Sequence, residues 1–391
     1  MKIPIAKPFF GPEEFQLIQK PLETGWVVQG PYVKSFEDKF CSFTKASHSI
    51  ATSSCTTSLQ IAVSALGLKP GDEVIVPAFT WVATSNVVEF MGAKPVFCDI
   101  DLETYNIDVK QIENLITRKT VGLIPVHLFG LCADMDKIIK VASKHRLWII
   151  EDAACAFGSY YNGKHSGTFG NMGCFSFHPR KSITTGEGGM ITTQRKELSE
   201  LSRSLRDHGA SRSDSDRHHG KAGFLLSEYN NLGYNYRMTD FQGALGCAQI
   251  DKAAWILSEK SNRASIYDQI ITEDIKWLRP PITPKGYVHG YQAYVCLFNP
   301  ENPTLKNVDS LNEKRNKLMT VLEEKGISTR QGTHAPVILG YYTNKYGYKN
   351  GQFPNAYIAD KLTFTLPLYV QMTESDLSYV CKSVQENFND I

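Results

Sequence analysis

The stretch Gly173-Cys-Phe-Ser-Phe-His-Pro-Arg-Lys-Ser-Ile-Thr-Thr-Gly-Glu-Gly-Gly-Met190 joins an aromatic strand pattern to a glycine-rich turn. A strand is predicted over residues 174–177, Lys181 follows it, and the turn occupies residues 186–189. Glycines allow the backbone to approach a bound group closely. A lysine that is held and partly desolvated at such a place can react as a nucleophile and form a Schiff base. The stretch therefore predicts a reactive lysine at the end of a buried strand.

Apolar strands and helical patterns alternate on both sides of this stretch. The predicted strands cover residues 47–52, 74–79, 95–100, 121–126, 147–150, 174–177 and 190–193. Because these strands are almost continuously apolar and helices separate them, we predict an α/β fold with a mostly parallel seven-stranded sheet. Such sheets bind ligands at the carboxyl ends of their strands, where Trp81, His127, Asp152 and Ser176 fall. A longer helix is predicted over residues 239–256.

The pattern changes after about residue 262, where a breaker cluster at 280–286 precedes a β-rich run at 291–298. Strands and helices mix there without regular alternation, which is typical of a smaller α+β domain. We therefore predict a large α/β domain over residues 1–260 and a small C-terminal α+β domain over residues 261–391. The N-terminal segment is expected to pack against the small domain.

The composition argues against several classes of protein. The 391 residues include 42 Lys and Arg against 40 Asp and Glu, a formal net charge of +2. This balance gives no electrostatic reason to expect nucleic acid or an anionic membrane as a partner. The nine cysteines are scattered without a CxxC pair, which favours reduced side chains and no metal site. No apolar run is long enough for a signal peptide or a membrane span, so we expect a cytoplasmic protein.

A hydroxyl-rich turn, Ser53-Ser-Cys-Thr-Thr-Ser58, stands between a predicted strand and a helical pattern that continues to Leu66. The start of a helix presents free backbone N–H groups and the positive end of the helix dipole, which suit a phosphate. Ser and Thr also cap helices where no ligand binds, and for this turn alone that alternative stays open.

Three separated features match the parts of a pyridoxal 5'-phosphate (PLP) site. Asp152 closes a strand, Lys181 follows 29 residues later, and hydroxyl groups gather at Ser54, Thr56 and Ser176. PLP needs a lysine for its Schiff base, a carboxylate for its ring nitrogen, a phosphate site and an aromatic cover on the ring. Spacing alone leaves a chance combination of such residues open.

A series of motifs in one order carries a resemblance over nearly the whole chain. The motifs are Gly25-Trp26, Gly30-Pro31, Phe36-Glu37, residues 71–77, 79–84 and 126–130, Glu151-Asp-Ala-Ala154, Phe175-Ser-Phe177, Thr184-Thr-Gly-Glu-Gly-Gly189, Gly233-Tyr-Asn-Tyr-Arg-Met238, Leu366-Pro-Leu-Tyr369 and Met372-Thr373. With them the chain resembles the DegT/DnrJ/EryC1/StrS family of PLP-dependent nucleotide-sugar aminotransferases. The resemblance implies the aspartate aminotransferase fold, which is PLP fold type I.

The resemblance also implies a role for each matching residue. Lys181 is the catalytic lysine that forms the Schiff base and moves the proton, and Asp152 pairs with the ring nitrogen. The implied cofactor contacts are Ser54, Cys55, Thr56, Trp81, Asp152, Ser176, Lys181 and Asn235. The implied substrate contacts are His127, His178, Glu187, Tyr234 and His334. Asn235 is expected to reach the phosphate in the neighbouring subunit, which implies a homodimer with shared active sites.

Two residues depart from the family pattern. Cys55 stands where the family often has glycine, so the phosphate turn must accept a side chain there. Cys155 stands where the family commonly has Gln, His or Glu beside the phenolic oxygen of the cofactor. A thiol is a weak hydrogen-bond partner, so Cys155 is not included among the predicted site residues. Arg330 is expected to lie in a solvated loop.

The implied reaction transfers an amino group from L-glutamate to a nucleotide-linked keto-sugar. The donor leaves as 2-oxoglutarate, PLP alternates with pyridoxamine 5'-phosphate (PMP), and the acceptor is expected to be a 4-keto-6-deoxyhexose. The amino sugar would enter a surface polysaccharide, such as an O-antigen, or a glycoconjugate. The nucleotide, the sugar and the aminated carbon stay open, and residues 207–220 and 330–342 are where we expect specificity to be set.

Two alternatives remain open at this point. Sugar dehydratases of the same family have His at the lysine position or need an iron–sulfur cluster with clustered cysteines, whereas this chain has Lys181 and dispersed cysteines. Some relatives were first described as regulators, so a role without catalysis is the second alternative. The intact set of Lys181, Asp152 and phosphate-binding residues favours amination over both.

Overall fold

The protein is built on a seven-stranded central sheet, which confirms the predicted α/β class. The structure is a computed structural model that describes residues 2–211 and 227–388. The strands are β1 (His48–Thr52), β2 (Glu73–Pro77), β3 (Lys94–Cys98), β4 (Thr120–Leu123), β5 (Trp148–Asp152), β6 (Tyr160–Tyr161), β7 (Lys164–His165), β8 (Met172–Ser176), β9 (Gly189–Thr193), β10 (Leu278–Arg279), β11 (Tyr287–Val288), β12 (Tyr294–Phe298) and β13 (Thr363–Leu366). The α-helices are Pro12–Thr24, Pro31–Thr44, Cys55–Ala65, Ala83–Phe90, Val109–Ile112, Met135–His145, Lys196–Arg206, Asp240–Asp251, Ala253–Asp274, Val308–Glu324, Gly340–Tyr346, Pro354–Leu362 and Glu374–Glu386. Short 3-10 helices cover Glu113–Leu115, Leu128–Gly130 and Pro336–Ile338.

The strands of the central sheet follow the order β1-β9-β8-β5-β4-β2-β3. Strand β9 is antiparallel to both of its neighbours, and the other neighbouring strands are parallel. Every residue of β2 and of β9 is buried. Helices that cover both faces of a parallel sheet account for such continuous burial, and this is why the strands show no alternation of polar and apolar residues.

Several strands end or begin at one edge of the central sheet. Asp152, the last residue of β5, lies opposite Cys174 of β8, and β8 ends two residues later at Ser176. Ser176 lies opposite Gly189, the first residue of β9, and Gly189 also lies opposite Thr52 at the end of β1. The carboxyl ends of β1, β5 and β8 therefore meet the start of the antiparallel strand β9 at a single edge.

The C-terminal part of the chain forms a second, three-stranded antiparallel sheet in the order β10-β12-β13. The N-terminal segment contacts this part, because Ile3 pairs with Ile327 and the Leu368 N–H donates to the Ile5 carbonyl at 3.2 Å. A division into domains after residue 260 stays a prediction. That residue lies inside the 22-residue helix Ala253–Asp274.

The single long helix predicted over residues 239–256 is wrong, because the chain forms two consecutive helices there. The first is Asp240–Asp251, and Thr239 caps it by accepting a hydrogen bond from the Gln242 N–H. The chain breaks at Lys252, whose backbone has φ −104° and ψ 7°, and whose amine pairs with Glu14 at 2.9 Å. No Gly or Pro marks this break, so a local pattern could not predict it.

Part of the loop predicted over residues 207–220 lies outside the described residues, namely positions 212–220. Its part in specificity therefore stays a prediction. Among residues 2–211 and 227–388, none of the helices combines the length and the apolar character that crossing a membrane requires.

A buried ion-pair network joins the second helix to the first strand and to helix Lys196–Arg206. The Glu37 carboxylate accepts hydrogen bonds from Arg206 at 2.8 Å, from Arg203 at 2.7 Å and from the Ala51 N–H at 2.9 Å. Burial alone raises the pKa of Glu37, but the charges of Arg206 and Arg203 and the Ala51 N–H outweigh it, so the pKa is lowered. Strand β1 is thereby fixed beside the turn that follows it.

We expect Glu37→Gln to lower the free energy of unfolding by about 3 kcal/mol, because one partner of a buried charge network is lost. Chemical denaturation measures this loss. A group with a lowered pKa stabilises the fold above its unfolded-state pKa and loses that effect as the pH falls through its folded-state pKa. The difference between the two proteins should therefore shrink in acid.

Asp38→Asn is the matched control, because Asp38 is the next residue on the same helix and pairs with Lys34 at a site where both side chains are exposed. Exposed pairs contribute little to stability. If Glu37→Gln lowers the free energy of unfolding no more than Asp38→Asn does, the buried ion pairs of Glu37 do not stabilise the fold as proposed.

Candidate active site

A cavity of about 590 Å³ opens at the edge of the sheet where the strand ends meet. All but three of the predicted site residues line it. Those present are Ser54, Cys55, Thr56, Trp81, Asp152, Ser176, His178, Lys181, Glu187 and His334. The loop at residues 330–334 and the N-terminal residues Ile5 and Ala6 also contribute to the wall. The fold therefore brings together residues that are separated by up to 280 positions in the sequence.

Lys181 lies in the wall of this cavity on the loop that follows β8. Its backbone N–H donates to the His178 carbonyl at 2.8 Å, which closes a tight turn. Its Nζ donates to the Cys155 Sγ at 3.1 Å. Cys155 was left out of the predicted site because a thiol is a weak hydrogen-bond partner, but the structure places it in the cavity wall. The thiol holds the amine of Lys181 inside the cavity.

Asp152 lies on the same cavity and is 5% exposed. One carboxylate oxygen accepts a hydrogen bond from Thr84 Oγ1 at 2.7 Å, and the other accepts from the Ala154 N–H at 3.2 Å. Burial raises the pKa of Asp152 despite these bonds and despite the nearby charge of Lys181. A buried carboxylate of this kind favours a cationic group as its partner. Thr84, which orients it, was not predicted as a site residue.

The hydroxyl-rich turn forms the N-terminus of helix Cys55–Ala65. Ser54 is the N-cap, and its Oγ accepts from the Thr57 N–H at 3.2 Å while Thr57 Oγ1 accepts from the Ser54 N–H at 3.0 Å. The next N–H groups belong to the first turn of the helix, which leaves them without partners inside the helix. Cys55 is the first helical residue, a position that accepts a side chain, so its replacement of glycine causes no backbone strain.

Gly189 allows β9 to pass close to this helix start. A Cβ atom at Gly189 would lie 2.3 Å from the Ser54 carbonyl oxygen and 2.7 Å from the Cys55 nitrogen. Both of these atoms belong to the backbone, so the turn would have to move to make room. The glycine-rich stretch is therefore needed for the close approach of two backbones, and the cavity wall depends on it.

Trp81 and His334 lie together in the cavity wall. The Trp81 side chain is 57% exposed, and its ring centroid lies 6.2 Å from that of His334. The Thr80 N–H donates to the His334 carbonyl at 3.0 Å, and His334 Nδ1 lies 3.8 Å from an Asp360 oxygen. The loop of the C-terminal part is thus bonded to the segment that carries Trp81.

Two arginines add positive charge to the wall of the cavity. Arg180, which was not predicted, and Arg330, which was expected to lie in a solvated loop, both line it and are exposed. Within the described residues, no carboxylate forms an ion pair with either guanidinium. Glu187 and Asp152 are the acidic residues that line the same cavity.

His127 does not line the cavity, and its burial contradicts the predicted direct contact with a substrate. Its side chain is 0% exposed, and its Nδ1 accepts a hydrogen bond from the Ala133 N–H at 3.0 Å. The other ring nitrogen must then carry the proton, and it donates to Glu151 Oε2 at 2.8 Å. Both nitrogens of His127 are occupied, so the residue supports the sheet edge from behind.

Tyr234 and Asn235 also lie outside the cavity wall in this single chain. The Tyr234 hydroxyl lies 2.9 Å from Ser64 Oγ, and its ring stacks on Tyr236 with a centroid distance of 4.7 Å. Asn235 is exposed. Since the Ser53 N–H donates to the Tyr236 carbonyl at 3.0 Å, this segment lies beside the turn that leads to Ser54. The contact of Tyr234 with a substrate and the contact of Asn235 with the phosphate in a neighbouring subunit stay predictions.

Within residues 2–211 and 227–388, no group of three or more His, Cys, Asp or Glu side chains is arranged to hold a metal ion. The cavity brings together the amine of Lys181, the buried carboxylate of Asp152 and the N-terminus of helix Cys55–Ala65.

We expect Gly189→Ala to weaken the binding of PLP by about tenfold or more, since moving the N–H groups of the turn costs on the order of 1.4 kcal/mol. Titration of the cofactor-free protein with PLP, followed by absorbance, measures the change. Gly340→Ala is the control, because a Cβ there has no heavy atom within 4 Å. Equal affinities of the two variants would show that the close approach at Gly189 is not needed.

The raised pKa of Asp152 predicts a pH effect on the stability of the cofactor-free protein. A carboxyl group of raised pKa stabilises the fold while it is protonated, and that contribution is lost as the pH rises through its folded-state pKa. Relative to Asp152→Asn, the natural protein should therefore lose stability as the pH rises above the ordinary pKa range of an aspartate. Denaturation at a series of pH values tests this, and a pH-independent difference between the two proteins would contradict it.

The comparisons with known proteins identify the family of this chain. The model of the DegT/DnrJ/EryC1/StrS aminotransferase family matches residues 9–385. An uncharacterized protein of Methanocaldococcus jannaschii is 38% identical over 384 residues, which are 98% of this chain and 97% of that protein. The spore coat polysaccharide biosynthesis protein SpsC of Bacillus subtilis is 35% identical over 385 residues, which are 98% of this chain and 96% of SpsC.

A solved structure gives the same result for the fold. The PMP form of a protein from Streptococcus pneumoniae that is named as a sugar aminotransferase superposes with a TM-score of 0.91 at 27% identity, and the match covers 100% of both chains. The resemblance stated from the motifs and the predicted PLP fold type I are both confirmed. The chain belongs to the DegT/DnrJ/EryC1/StrS aminotransferase family.

Proposed function

We propose that this protein is a PLP-dependent aminotransferase that moves an amino group from L-glutamate to the keto group of a nucleotide-linked sugar. The observation that carries the proposal is the meeting of three groups in one cavity. These are the amine of Lys181, the buried carboxylate of Asp152 and the open N-terminus of helix Cys55–Ala65. The PMP form of the pneumococcal neighbour supports the choice of cofactor.

The residues of the cavity fit PLP in charge and in position. The first turn of helix Cys55–Ala65, with Ser54, Thr56 and Ser176 beside it, suits a phosphate dianion. The carboxylate of Asp152 has no cationic hydrogen-bond partner in the described chain, and a protonated pyridine nitrogen would supply one. Trp81 offers a large exposed aromatic face in the same wall.

When bound, PLP supplies an electron sink for the carbanion that forms during transamination. The side chains of this protein then have separate tasks. Asp152 keeps a proton on the ring nitrogen by ion pairing, because a buried carboxylate stabilises the charged form of its partner. The amine of Lys181 takes a proton from one carbon and returns it to another, and Cys155 holds that amine when it is free.

The proposed acceptor, a nucleotide-linked keto-sugar such as a 4-keto-6-deoxyhexose, is supported by the charge and the size of the cavity. Arg180 and Arg330 line it, and guanidinium groups bind phosphates and carboxylates through paired hydrogen bonds. The volume of about 590 Å³ is within the range of small-molecule sites. The name of SpsC, a polysaccharide biosynthesis protein, supports a product that enters a polysaccharide. The cytoplasm remains the expected compartment.

We also propose that the protein works as a homodimer in which Asn235 contacts the phosphate bound by the partner. Asn235 is exposed in the single chain, and Leu232, three residues before it, is 93% exposed. Tyr229 on the same segment is 58% exposed. Apolar side chains with this exposure are suited to burial by a second subunit.

The proposal predicts that the purified protein, given L-glutamate and a panel of nucleotide-linked keto-sugars, releases 2-oxoglutarate with at least one of them. In Lys181→Ala the rate of 2-oxoglutarate release should fall by about three orders of magnitude or more. The reason is that this variant lacks the amine that is proposed to bond covalently to PLP. Coupled detection of 2-oxoglutarate and mass analysis of the amino sugar measure the two products.

Lys110→Ala serves as the control for this experiment, because Lys110 is an exposed residue of a surface helix. Its rate should match that of the natural protein. Catalytic release of 2-oxoglutarate by Lys181→Ala in the presence of a keto-sugar would refute the central assignment.

A further inference from the structure

The amine of Lys181 and the thiol of Cys155 form a pair in the cavity wall. Lys181 Nζ lies 3.1 Å from Cys155 Sγ. Both side chains are half-buried and line the cavity, so a small solute can reach the pair. Within residues 2–211 and 227–388, Cys155 is the only cysteine whose sulfur is hydrogen-bonded to an amine. A sulfur and a nitrogen in such contact can become bonded once the sulfur is oxidised.

The other eight cysteines are less suited to reaction with a solute. Cys41 and Cys55 are half-buried like Cys155, but desolvation raises the pKa of both thiols. Since the thiolate is the reactive form, these two sulfurs are poor nucleophiles near neutral pH. The remaining six are buried, namely Cys98, Cys132, Cys174, Cys247, Cys296 and Cys381. Cys155 is therefore the cysteine that a dissolved oxidant is expected to modify first.

The backbone on both sides of the pair is held, while the lysine side chain can move. The Ala156 N–H donates to the Ala153 carbonyl at 2.9 Å, which closes a turn around Cys155. The Lys181 N–H donates to the His178 carbonyl at 2.8 Å. In the part of the chain that the structure describes, no carboxylate forms an ion pair with the Lys181 amine. Rotation about the flexible stem of this lysine can thus bring its nitrogen from contact to bonding distance.

We propose that Cys155 and Lys181 form a site of reversible oxidation, at which hydrogen peroxide joins the two side chains through a sulfur–nitrogen bond. In the first step the sulfur attacks the peroxide. An S–O bond forms, the O–O bond breaks, and the leaving hydroxide takes the thiol proton away as water. The sulfur is oxidised by two electrons and the peroxide is reduced by two, which gives a sulfenic acid at Cys155.

In the second step the nitrogen of Lys181 attacks the sulfur of this sulfenic acid. An S–N bond forms, the S–O bond breaks, and the leaving hydroxide takes one amine proton away as water. A dissolved thiol reverses the link, because it attacks the sulfur and displaces the lysine nitrogen, which takes up a proton. A second thiol then releases Cys155 from the mixed disulfide.

The link removes the amine on which catalysis depends. A lysine that is bonded to sulfur cannot bond to the aldehyde carbon of PLP, so oxidation blocks the capture of the cofactor. This consequence rests on the proposed function, whereas the oxidation site itself does not require PLP.

Peptide mass analysis of the full-length, cofactor-free protein tests the link. Hydrogen peroxide is added at mildly alkaline pH, where a larger fraction of lysine amines is unprotonated. The digest should contain a peptide pair joined from Cys155 to Lys181, with a mass about 2 Da below the sum of the two peptides. Dithiothreitol should restore the separate peptides. Absence of the joined pair from the natural protein overturns the proposal, whatever the variants below do.

Three variants assign the two atoms. Cys155→Ser should give no joined pair. Lys181→Met keeps the sulfur without the amine, so Cys155 should advance to a sulfinic acid and gain about 32 Da. Cys41→Ser is the matched control, because Cys41 is also half-buried but lies on helix Pro31–Thr44 outside the cavity, and it should leave the yield unchanged. A disulfide between Cys155 and Cys55 in place of the joined pair would overturn the proposal.

Protection by PLP separates this inference from the proposed function. Natural protein loaded with PLP before the peroxide is added should give at least about tenfold less joined pair, since its amine is already bonded. A joined pair in equal yield with and without PLP rejects the bonding of PLP to Lys181, and the proposed function with it, but supports the oxidation site. A protein that bonds PLP at Lys181 but gives no joined pair in its cofactor-free form rejects the inference alone.

Discussion

The parallel pairing of β5 with β8 is the constraint on which the site depends. It places the end of the strand at Asp152 beside the strand that leads through Ser176 to the loop of Lys181. The antiparallel strand β9 begins at the same edge. Its first residue, Gly189, has no side chain and lets the backbone of β9 lie close to the backbone of Ser54. The pairing of these strands thereby brings a carboxylate, an amine and a helix N-terminus to one cavity.

Glu151, the residue before Asp152, points to the opposite face of β5 and binds groups of the protein itself. Glu151 is 0% exposed, and its two oxygens accept hydrogen bonds from His127 and from the N–H groups of Gly167, Phe169 and Gly170 at 2.6–2.8 Å. Successive residues of a strand point to opposite faces, so the Asp152 carboxylate faces the cavity while that of Glu151 binds the loop at residues 167–170. The buried carboxylate of Glu151 thus has hydrogen-bond partners at both oxygens.

Two buried groups in this region lack a partner of opposite charge within the described chain. Burial raises the pKa of Asp152 and lowers that of Lys260, and in both cases desolvation disfavours the charged form. Groups with shifted pKa values cluster at functional sites because chemistry near neutral pH needs them. Asp152 lines the main cavity, whereas Lys260 lies behind the loop that carries Lys181.

The sequence by itself predicted the α/β class and the seven strands of the central sheet, because runs of apolar residues indicate buried strands. The roles of Lys181, Asp152 and Ser54 stay predictions, and the structure places all three residues at one cavity. It did not show that the helix near Lys252 breaks, since no residue there has an intrinsic preference for a break. It also misjudged His127, whose two nitrogens are occupied by Glu151 and Ala133. Only the tertiary structure decided these points and the contact of Lys181 with Cys155. Each of them depends on contacts between residues far apart in the chain, and no local pattern encodes such contacts.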